Sequence, residues 1–106
     1  MTPLKTPDDR YIVVKGRLWR ATNPYLPERE RAQLTRRLMK ARREVRQARN
    51  NGDEQELAQA RTGVNDAKVA LGERGPVWWT DGTPDYNRYL VKNTPYADWY
   101  AKEAER

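Results

Sequence analysis

Arginine and lysine are the residues of this 106-residue chain with the clearest capacity for binding chemistry. Residues 28–49 contain nine cations and three anions, a balance of +6 that equals the net charge of the whole chain. An Arg guanidinium carries a planar fork of donors that fits phosphate and carboxylate oxygens. Such a local excess is compatible with binding to nucleic acid, to an anionic membrane surface or to an acidic protein.

Six of these cations are predicted to share one side of a helix, opposite its apolar residues. We call them the outward cations: Arg29, Arg36, Arg37, Lys40, Arg43 and Arg46. They span roughly 25 Å at about 1.5 Å per residue, enough for several phosphates, and Arg31, Arg42 and Arg49 flank them. They are therefore candidate phosphate-binding residues. The alternatives are a solvated helix face that serves solubility, or a surface for an acidic protein.

Trp78 and Trp79 are candidates for aromatic contact with a base or a ligand. Adjacent residues of a strand face opposite sides, so one indole of a strand at 77–80 could point outward and stack. The alternative is that both are core residues, because the chain has no Phe and its interior must use Trp and Tyr. Trp19 and Trp99 are predicted to be core residues.

Catalytic chemistry has little support in this composition. The chain has neither His nor Cys, so it lacks the most common general base, a thiol nucleophile and two common metal ligands. Asp81, Asp85 and Asp98 could bind a metal or act as acid and base, but each also fits a turn or the first turn of a short helix. We therefore predict that the protein is not an enzyme, and we assign no catalytic, metal-binding or cofactor-binding residue and no cofactor.

Two apolar stripes predict the helices that position the outward cations. The first has alternating spacings of four and three and predicts a helix over about 28–50: Leu34, Leu38, Ala41, Val45 and Ala48. The second repeats this spacing and predicts a helix over about 53–72: Leu57, Ala60, Val64, Ala67 and Leu71. Asn50-Asn51-Gly52 separates them, and so short a connection makes the helices antiparallel neighbours. The product is a long αα-hairpin.

The flanking segments predict a small β component and further short helices. Residues 11–20 predict a β-hairpin with its turn at Lys15-Gly16, which pairs Val13 with Leu18, and residues 77–80 are a candidate third strand. Thr83-Pro84 and Thr94-Pro95 resemble helix starts and predict short helices over about 84–92 and 95–104 in an aromatic C-terminal segment. The predicted fold class is α+β, mostly α. We expect a single domain, 1–106, with a flexible leader at 1–9 and a frayed end at 101–106.

Four segments of the chain resemble a family of small proteobacterial proteins with no established activity: 11–20, 38–43, 67–79 and 93–100. The most distinctive blocks are Gly75-Pro76-Val77-Trp78-Trp79 and Asn93-Thr94-Pro95-Tyr96-Ala97-Asp98-Trp99-Tyr100. Some members of that family carry the label of Tol biopolymer transporter. The resemblance implies a bacterial, cytoplasmic protein, and it carries over no catalytic or binding residue.

Charge, composition and apolar patterning together define the expected function. The longest apolar run, Tyr11–Val14, is far below the roughly 20 residues that cross a bilayer, and the N-terminus has no secretory pattern, so we expect a cytoplasmic protein without a membrane span. The expected function is a non-enzymatic module that contacts DNA or RNA phosphates without sequence specificity. The alternative is an adaptor for an acidic protein, or a self-associating protein. No small-molecule substrate is evident.

Overall fold

β-Branched and aromatic residues on both sides of Lys15-Gly16 build an N-terminal antiparallel sheet. In the computed structural model, which describes residues 3–104, three strands lie in the order β1 (Leu4–Lys5), β2 (Tyr11–Val14) and β3 (Arg17–Arg20). Lys15 and Gly16 have φ values of 52° and 77°, the left-handed pair that a two-residue hairpin turn favours. Val13 pairs with Leu18, which confirms the predicted hairpin.

The third strand comes from the N-terminus, where we predicted a leader, and not from residues 77–80, which form no strand. Leu4 pairs with Val13, so β1 occupies the outer edge of β2. Residues 88–91 occupy the outer edge of β3, because the Leu18 N–H donates to the Tyr89 carbonyl oxygen at 2.9 Å. Both edges of the β2–β3 hairpin are therefore paired with other segments, and residues 77–80 do not join the sheet.

The C-terminal segment contains one of the two predicted short helices. Helix α3 (Ala97–Ala104) lies within the predicted range 95–104, whereas the helix predicted at 84–92 is wrong. Near the end of the range 84–92, the chain forms only a 3₁₀ turn, at Val91–Asn93. The physical reason is the pairing with β3, together with the left-handed backbone of Arg88, whose φ of 74° would interrupt a helix.

One face of the sheet carries an aromatic core. Its buried residues are Tyr11, Val13, Leu18, Trp79 and Val91, and Trp99 packs against them as predicted. Trp19 lies on the other face and is 38% exposed, so its predicted core position is wrong. Neighbouring residues of β3 point to opposite faces, and Leu18 takes the inner position.

The two long helices form the predicted αα-hairpin. Helix α1 (Glu28–Asn51) ends at Gly52, which is left-handed with φ 67°, and α2 (Glu54–Leu71) follows. The Asp53 side chain caps α2 by accepting the Glu56 backbone N–H at 3.0 Å. At the crossing, a Cβ on Gly63 would lie 3.3 Å from the Ala41 Cβ, so this glycine lets the helices approach closely. The fold is α+β and mostly α.

The contacts within the chain divide it into two compact units, and the single domain that we expected stays a prediction. The sheet unit comprises residues 3–24 and 77–104, and the helical unit comprises Tyr25–Pro76. The predicted frayed end begins inside the last turn of α3. The predicted leader and the predicted frayed end also include residues 1–2 and 105–106, which lie outside the described residues.

Candidate nucleic-acid interface

The apolar stripe of α1 determines which of its cations face outward. Burial of the stripe against α2 turns the opposite side of the helix to solvent; the buried members are Leu34, Leu38, Ala41 and Ala48. Val45, the fifth predicted member, is half-buried. Pro27 is the N-cap residue, and the first turn contains Glu28 and Glu30, whose negative charges suit the positive end of the helix dipole. Local sequence and packing therefore agree on the orientation of α1.

All six outward cations are exposed. Within residues 3–104, none of them forms an ion pair or a side-chain hydrogen bond. Four of them follow one another at a spacing of three along one row of α1: Arg37, Lys40, Arg43 and Arg46. Residues three apart are neighbours on a helix surface, so these like charges repel one another. The row therefore adds nothing to helix stability and leaves its positive charge to the solvent.

Three of the outward cations meet in one shallow hollow. The hollow has a volume of 370 Å³ and is lined by Gln33, Arg36, Arg37 and Lys40. Arg29, Arg43 and Arg46 lie elsewhere along α1 and do not line it. Three of the six cations thus share one hollow, and the other three are spread along the rest of α1.

A groove beside the α1–α2 seam has a balanced charge. We call it the balanced groove; it has a volume of 300 Å³, and its floor includes Gly63, where the two helices approach closely. Its charged lining residues are Arg37 and Lys40 from α1, opposed by Glu44 and Asp66. Two positive and two negative side chains give this groove no net preference for anions.

A second groove, formed by α1, α2 and the segment that follows α2, is lined by four arginines. It has a volume of 380 Å³, and we call it the arginine groove: Arg42, Val45, Arg49, Arg61, Val64 and Arg74 line it. We predicted Arg42 and Arg49 only as flanking residues, and Arg61 and Arg74 were missed. In each helix an Arg lies three residues before a Val of the apolar stripe, Arg42 before Val45 and Arg61 before Val64, and this spacing could have indicated that both arginines lie beside the seam. Nothing in the sequence positions Arg74, which lies beyond the end of α2.

The two candidate aromatic residues belong to the core of the sheet unit. Trp79 is 7% exposed, which contradicts a stacking role, and Trp78 packs against the same cluster. The Trp79 indole N–H donates to the Thr83 carbonyl oxygen at 2.8 Å, and that of Trp78 donates to the Ala21 carbonyl oxygen at 3.2 Å. The ring centroids lie 5.1 Å apart, edge to face. The alternative interpretation, in which both indoles are core residues, therefore holds for Trp79, whereas Trp78 is half-buried against the core.

Two of the three carboxylates considered for catalysis, Asp81 and Asp85, hold loops in place. Asp81 forms an ion pair with Arg10 and accepts the Thr83 backbone N–H at 3.0 Å. The hydrogen bond from Arg10 lowers the pKa of Asp81 to about 2. Asp85 accepts the Tyr11 hydroxyl at 3.1 Å, and Asp98 lies in the first turn of α3. In the part of the chain that the structure describes, no three acidic side chains are grouped so that they could hold a metal ion.

A second polar cluster of the sheet unit centres on Asp8. The Tyr96 hydroxyl donates to Asp8 at 2.6 Å, and the Thr6 hydroxyl donates to it at 2.7 Å. Burial raises the pKa of the Asp8 carboxyl, but these hydrogen bonds outweigh burial and lower the pKa below its usual range. Burial and the bond to Asp8 raise the pKa of Tyr96. These groups connect the first turn of the chain to the start of α3.

No family model, curated protein or solved structure matches this chain. The resemblance to the proteobacterial family therefore stays a prediction. None of the helices within residues 3–104 combines the length and the apolar character that crossing a membrane requires.

Proposed function

We propose that this protein is a non-enzymatic binding module whose outward cations contact the phosphates of DNA or RNA. One observation carries the proposal: within residues 3–104 these six exposed side chains have no ion-pair partner. Phosphate contacts by Lys and Arg release condensed counterions, which is the main source of affinity in binding that does not depend on base sequence. From the resemblance, we also propose a bacterial cytoplasmic protein.

The distribution of charge favours this proposal over a role in solubility alone. Helices that serve solubility usually mix both signs, so that Glu and Lys or Arg pair at spacings of three and four. Between residues 29 and 46, only Glu30 and Glu44 are acidic, against eight cations. The row of like charges repels itself when no anion is present, and a phosphate backbone would relieve that repulsion.

The proposed binding does not distinguish sequences. Base pairs are distinguished by patterns of donors and acceptors in the major groove, usually read by a few side chains at the start of a recognition helix. The outward cations are donors only, and they extend along the length of α1. Contacts of this type position a protein on the backbone and carry no sequence information.

The proposal can be tested by the salt dependence of binding. Fluorescence anisotropy would measure the affinity of the full chain for mixed-sequence DNA and RNA from about 25 to about 200 mM salt, where the logarithmic slope is about −0.9 per neutralised phosphate on duplex DNA. The test variant replaces Arg36, Arg37, Lys40 and Arg43 with Gln. We expect it to bind at least about tenfold more weakly at low salt, and its slope to be shallower by about 0.9 for each phosphate that it no longer neutralises.

A matched control removes the same charge from the sheet unit. Four exposed lysines are replaced with Gln: Lys5, Lys15, Lys92 and Lys102. We expect this control to bind within about threefold of the unaltered chain, because it keeps all six outward cations that contact the phosphates in the proposal. The proposal fails if the unaltered chain does not bind at low salt, or if the control loses as much affinity as the test variant.

The alternative proposal is an adaptor or self-associating protein, and exposed apolar side chains support it. Tyr25 is 81% exposed, and Met39 and Tyr89 are each 52% exposed. Tyr, Met and Arg are enriched at protein interfaces. Light scattering of the purified chain separates the alternatives, because self-association would give a mass that increases with concentration and does not require nucleic acid.

A further inference from the structure

The arginine groove differs in shape and lining from the outward cations. It is a concavity of 380 Å³ whose six lining residues are four arginines and two valines. We propose that it binds a short chain of linked phosphates, such as inorganic triphosphate or the triphosphate of a nucleotide. Its residues are distinct from the outward cations, so this inference does not rest on the proposed function.

Charge complementarity selects this class of ligand. No carboxylate among the described residues lines the groove, so its lining carries four positive charges. A terminal phosphate carries about −1.5 to −2 charges at neutral pH and each linked phosphate adds about −1, so three linked phosphates approach a charge of about −4. A single phosphate would neutralise only about half of the arginines.

The helices spread the donors along the groove. Arg42 and Arg49 are seven residues apart on α1, about two helical turns or roughly 10 Å. Arg61 belongs to α2, and Arg74 follows the end of α2. Donors spread along the groove in this way match a row of phosphates, and each guanidinium can bind two oxygens of one phosphate through its fork.

Two valines and one hydrogen bond support the arginine side chains of the groove. Val45 and Val64 are half-buried, and an apolar floor supports the methylene stems of the arginines and strengthens their attraction for anions. One Arg74 N–H donates to the Asn65 side-chain oxygen at 3.4 Å, which orients its guanidinium. Within residues 3–104, the side chains of Arg42, Arg49 and Arg61 have no ion-pair partner.

The lining also determines how a divalent metal should act. Mg²⁺ is usually held by one or two carboxylates together with the phosphates, and the described lining offers no carboxylate. A phosphate chain complexed with Mg²⁺ carries less negative charge and would compete poorly for four arginines. The groove should therefore take the metal-free anion, and excess Mg²⁺ should weaken binding.

Isothermal titration calorimetry of the full chain tests the proposal with inorganic triphosphate, pyrophosphate and phosphate. We expect affinity to fall in that order, with triphosphate bound at least about tenfold more tightly than phosphate, because fewer bidentate contacts form with shorter anions. The variant R61Q/R74Q should lose at least about tenfold in triphosphate affinity. Arg61 is exposed and Arg74 is half-buried, so the circular dichroism spectrum of the variant should match that of the unaltered chain and would establish that the variant is folded.

Two controls separate this groove from general positive charge and from the proposed function. The variant R36Q/R43Q loses the same charge from the outward cations and should keep its triphosphate affinity within about threefold. In the converse measurement, R61Q/R74Q should keep the salt slope of DNA binding. Equal affinity for triphosphate and phosphate, or equal losses in the two variants, would overturn the proposal even if DNA binding is observed.

A titration with adenosine triphosphate distinguishes the two sources of the phosphate chain. Affinity equal to that of inorganic triphosphate would show that the phosphates alone are recognised. Tighter binding would show that Val45 and Val64 also contact the nucleoside, and weaker binding would favour free inorganic polyphosphate. In each of these three cases, R61Q/R74Q should lose affinity for both adenosine triphosphate and inorganic triphosphate, because both bind in the arginine groove.

Discussion

The sheet unit and the helical unit use charge in opposite ways. In the sheet unit, Arg10 pairs with Asp81 and lies 4.8 Å from the centroid of the Trp79 ring, and Arg20 pairs with Asp85 at 3.7 Å. In the helical unit, the outward cations have no ion-pair partner among the described residues. Charged side chains therefore pair with one another in the sheet unit, whereas the positive charge of α1 remains available for an external anion.

The two units also differ in the side chains that build their cores. All four Trp and five of the six Tyr belong to the sheet unit, whereas the core of the helical unit consists of Leu, Val and Ala. Tryptophan fluorescence therefore reports on the sheet unit alone, and far-UV circular dichroism reports mainly on α1 and α2. The following predictions use this separation of signals.

The largest expected effect is a loss of stability in Tyr11→Phe. Tyr11 is fully buried, and its hydroxyl donates to Asp85 and accepts the Tyr86 backbone N–H at 2.7 Å. Its removal leaves that N–H without a partner, which should lower the free energy of unfolding by about 1–3 kcal/mol. Urea unfolding followed by tryptophan fluorescence measures this. Tyr89→Phe, at an exposed ring, should change it by less than about 0.5 kcal/mol; equal effects would contradict a structural role for the Tyr11 hydroxyl.

A smaller effect is expected in the acid stability of the sheet unit. Because pairing with Arg10 lowers the pKa of Asp81 to about 2, the ion pair stabilises the fold above about pH 4 and is lost as the pH falls towards 2. In Asp81→Asn, the unfolding temperature should therefore fall less steeply between about pH 4 and about pH 2. Thermal unfolding followed by tryptophan fluorescence measures this slope.

Asp9→Asn is the control for that pH dependence, since Asp9 forms no ion pair in the described chain. It should retain the slope of the unaltered protein. Asp8 also has a lowered pKa, so some loss of stability in acid should remain in Asp81→Asn. If the two variants share one slope, the Arg10–Asp81 pair does not stabilise the sheet unit, and the contrast between the units loses this support.

The smallest effect is expected in the helical unit. Arg43→Gln removes the repulsion between Arg43 and its like-charged neighbours Lys40 and Arg46. The free energy of unfolding should therefore stay constant or rise by about 0.2–0.5 kcal/mol at low salt. The gain should vanish at high salt, where such charges are screened. Thermal unfolding followed by circular dichroism measures this, and Glu44→Gln should shift stability in the opposite direction. A loss above about 1 kcal/mol in Arg43→Gln would mean that this cation has a structural partner.

Local patterns predicted the elements whose signals repeat along the chain. The apolar stripes predicted both long helices to within one residue of each end, and Lys15-Gly16 predicted the hairpin register. Errors occurred where distant contacts decide the structure. Thr83-Pro84-Asp85 resembles a helix start, but Asp85 accepts a hydroxyl from Tyr11, which is 74 residues away. A strand of two residues, such as β1, is too short to have a pattern.

The candidate sites also divide into one that local sequence patterns predict and one that depends on distant contacts. The outward cations could be predicted because their orientation depends only on the periodicity of α1. The arginine groove could not, since its lining comes from two helices and from Arg74, a residue beyond the end of α2. The interpretation of Trp79 as a core residue depended on the shortage of large aliphatic residues, and its packing against Tyr11 decided it: the two ring centroids lie 5.7 Å apart.

Local sequence patterns are sufficient for the fold class, the αα-hairpin and the side of α1 that carries positive charge, because helical periodicity and turn chemistry act over a few residues. Tertiary contacts determine which strands complete the sheet, which aromatic residues are buried and where four arginines meet. Those outcomes depend on contacts between residues far apart in the chain, whose geometry no local pattern contains.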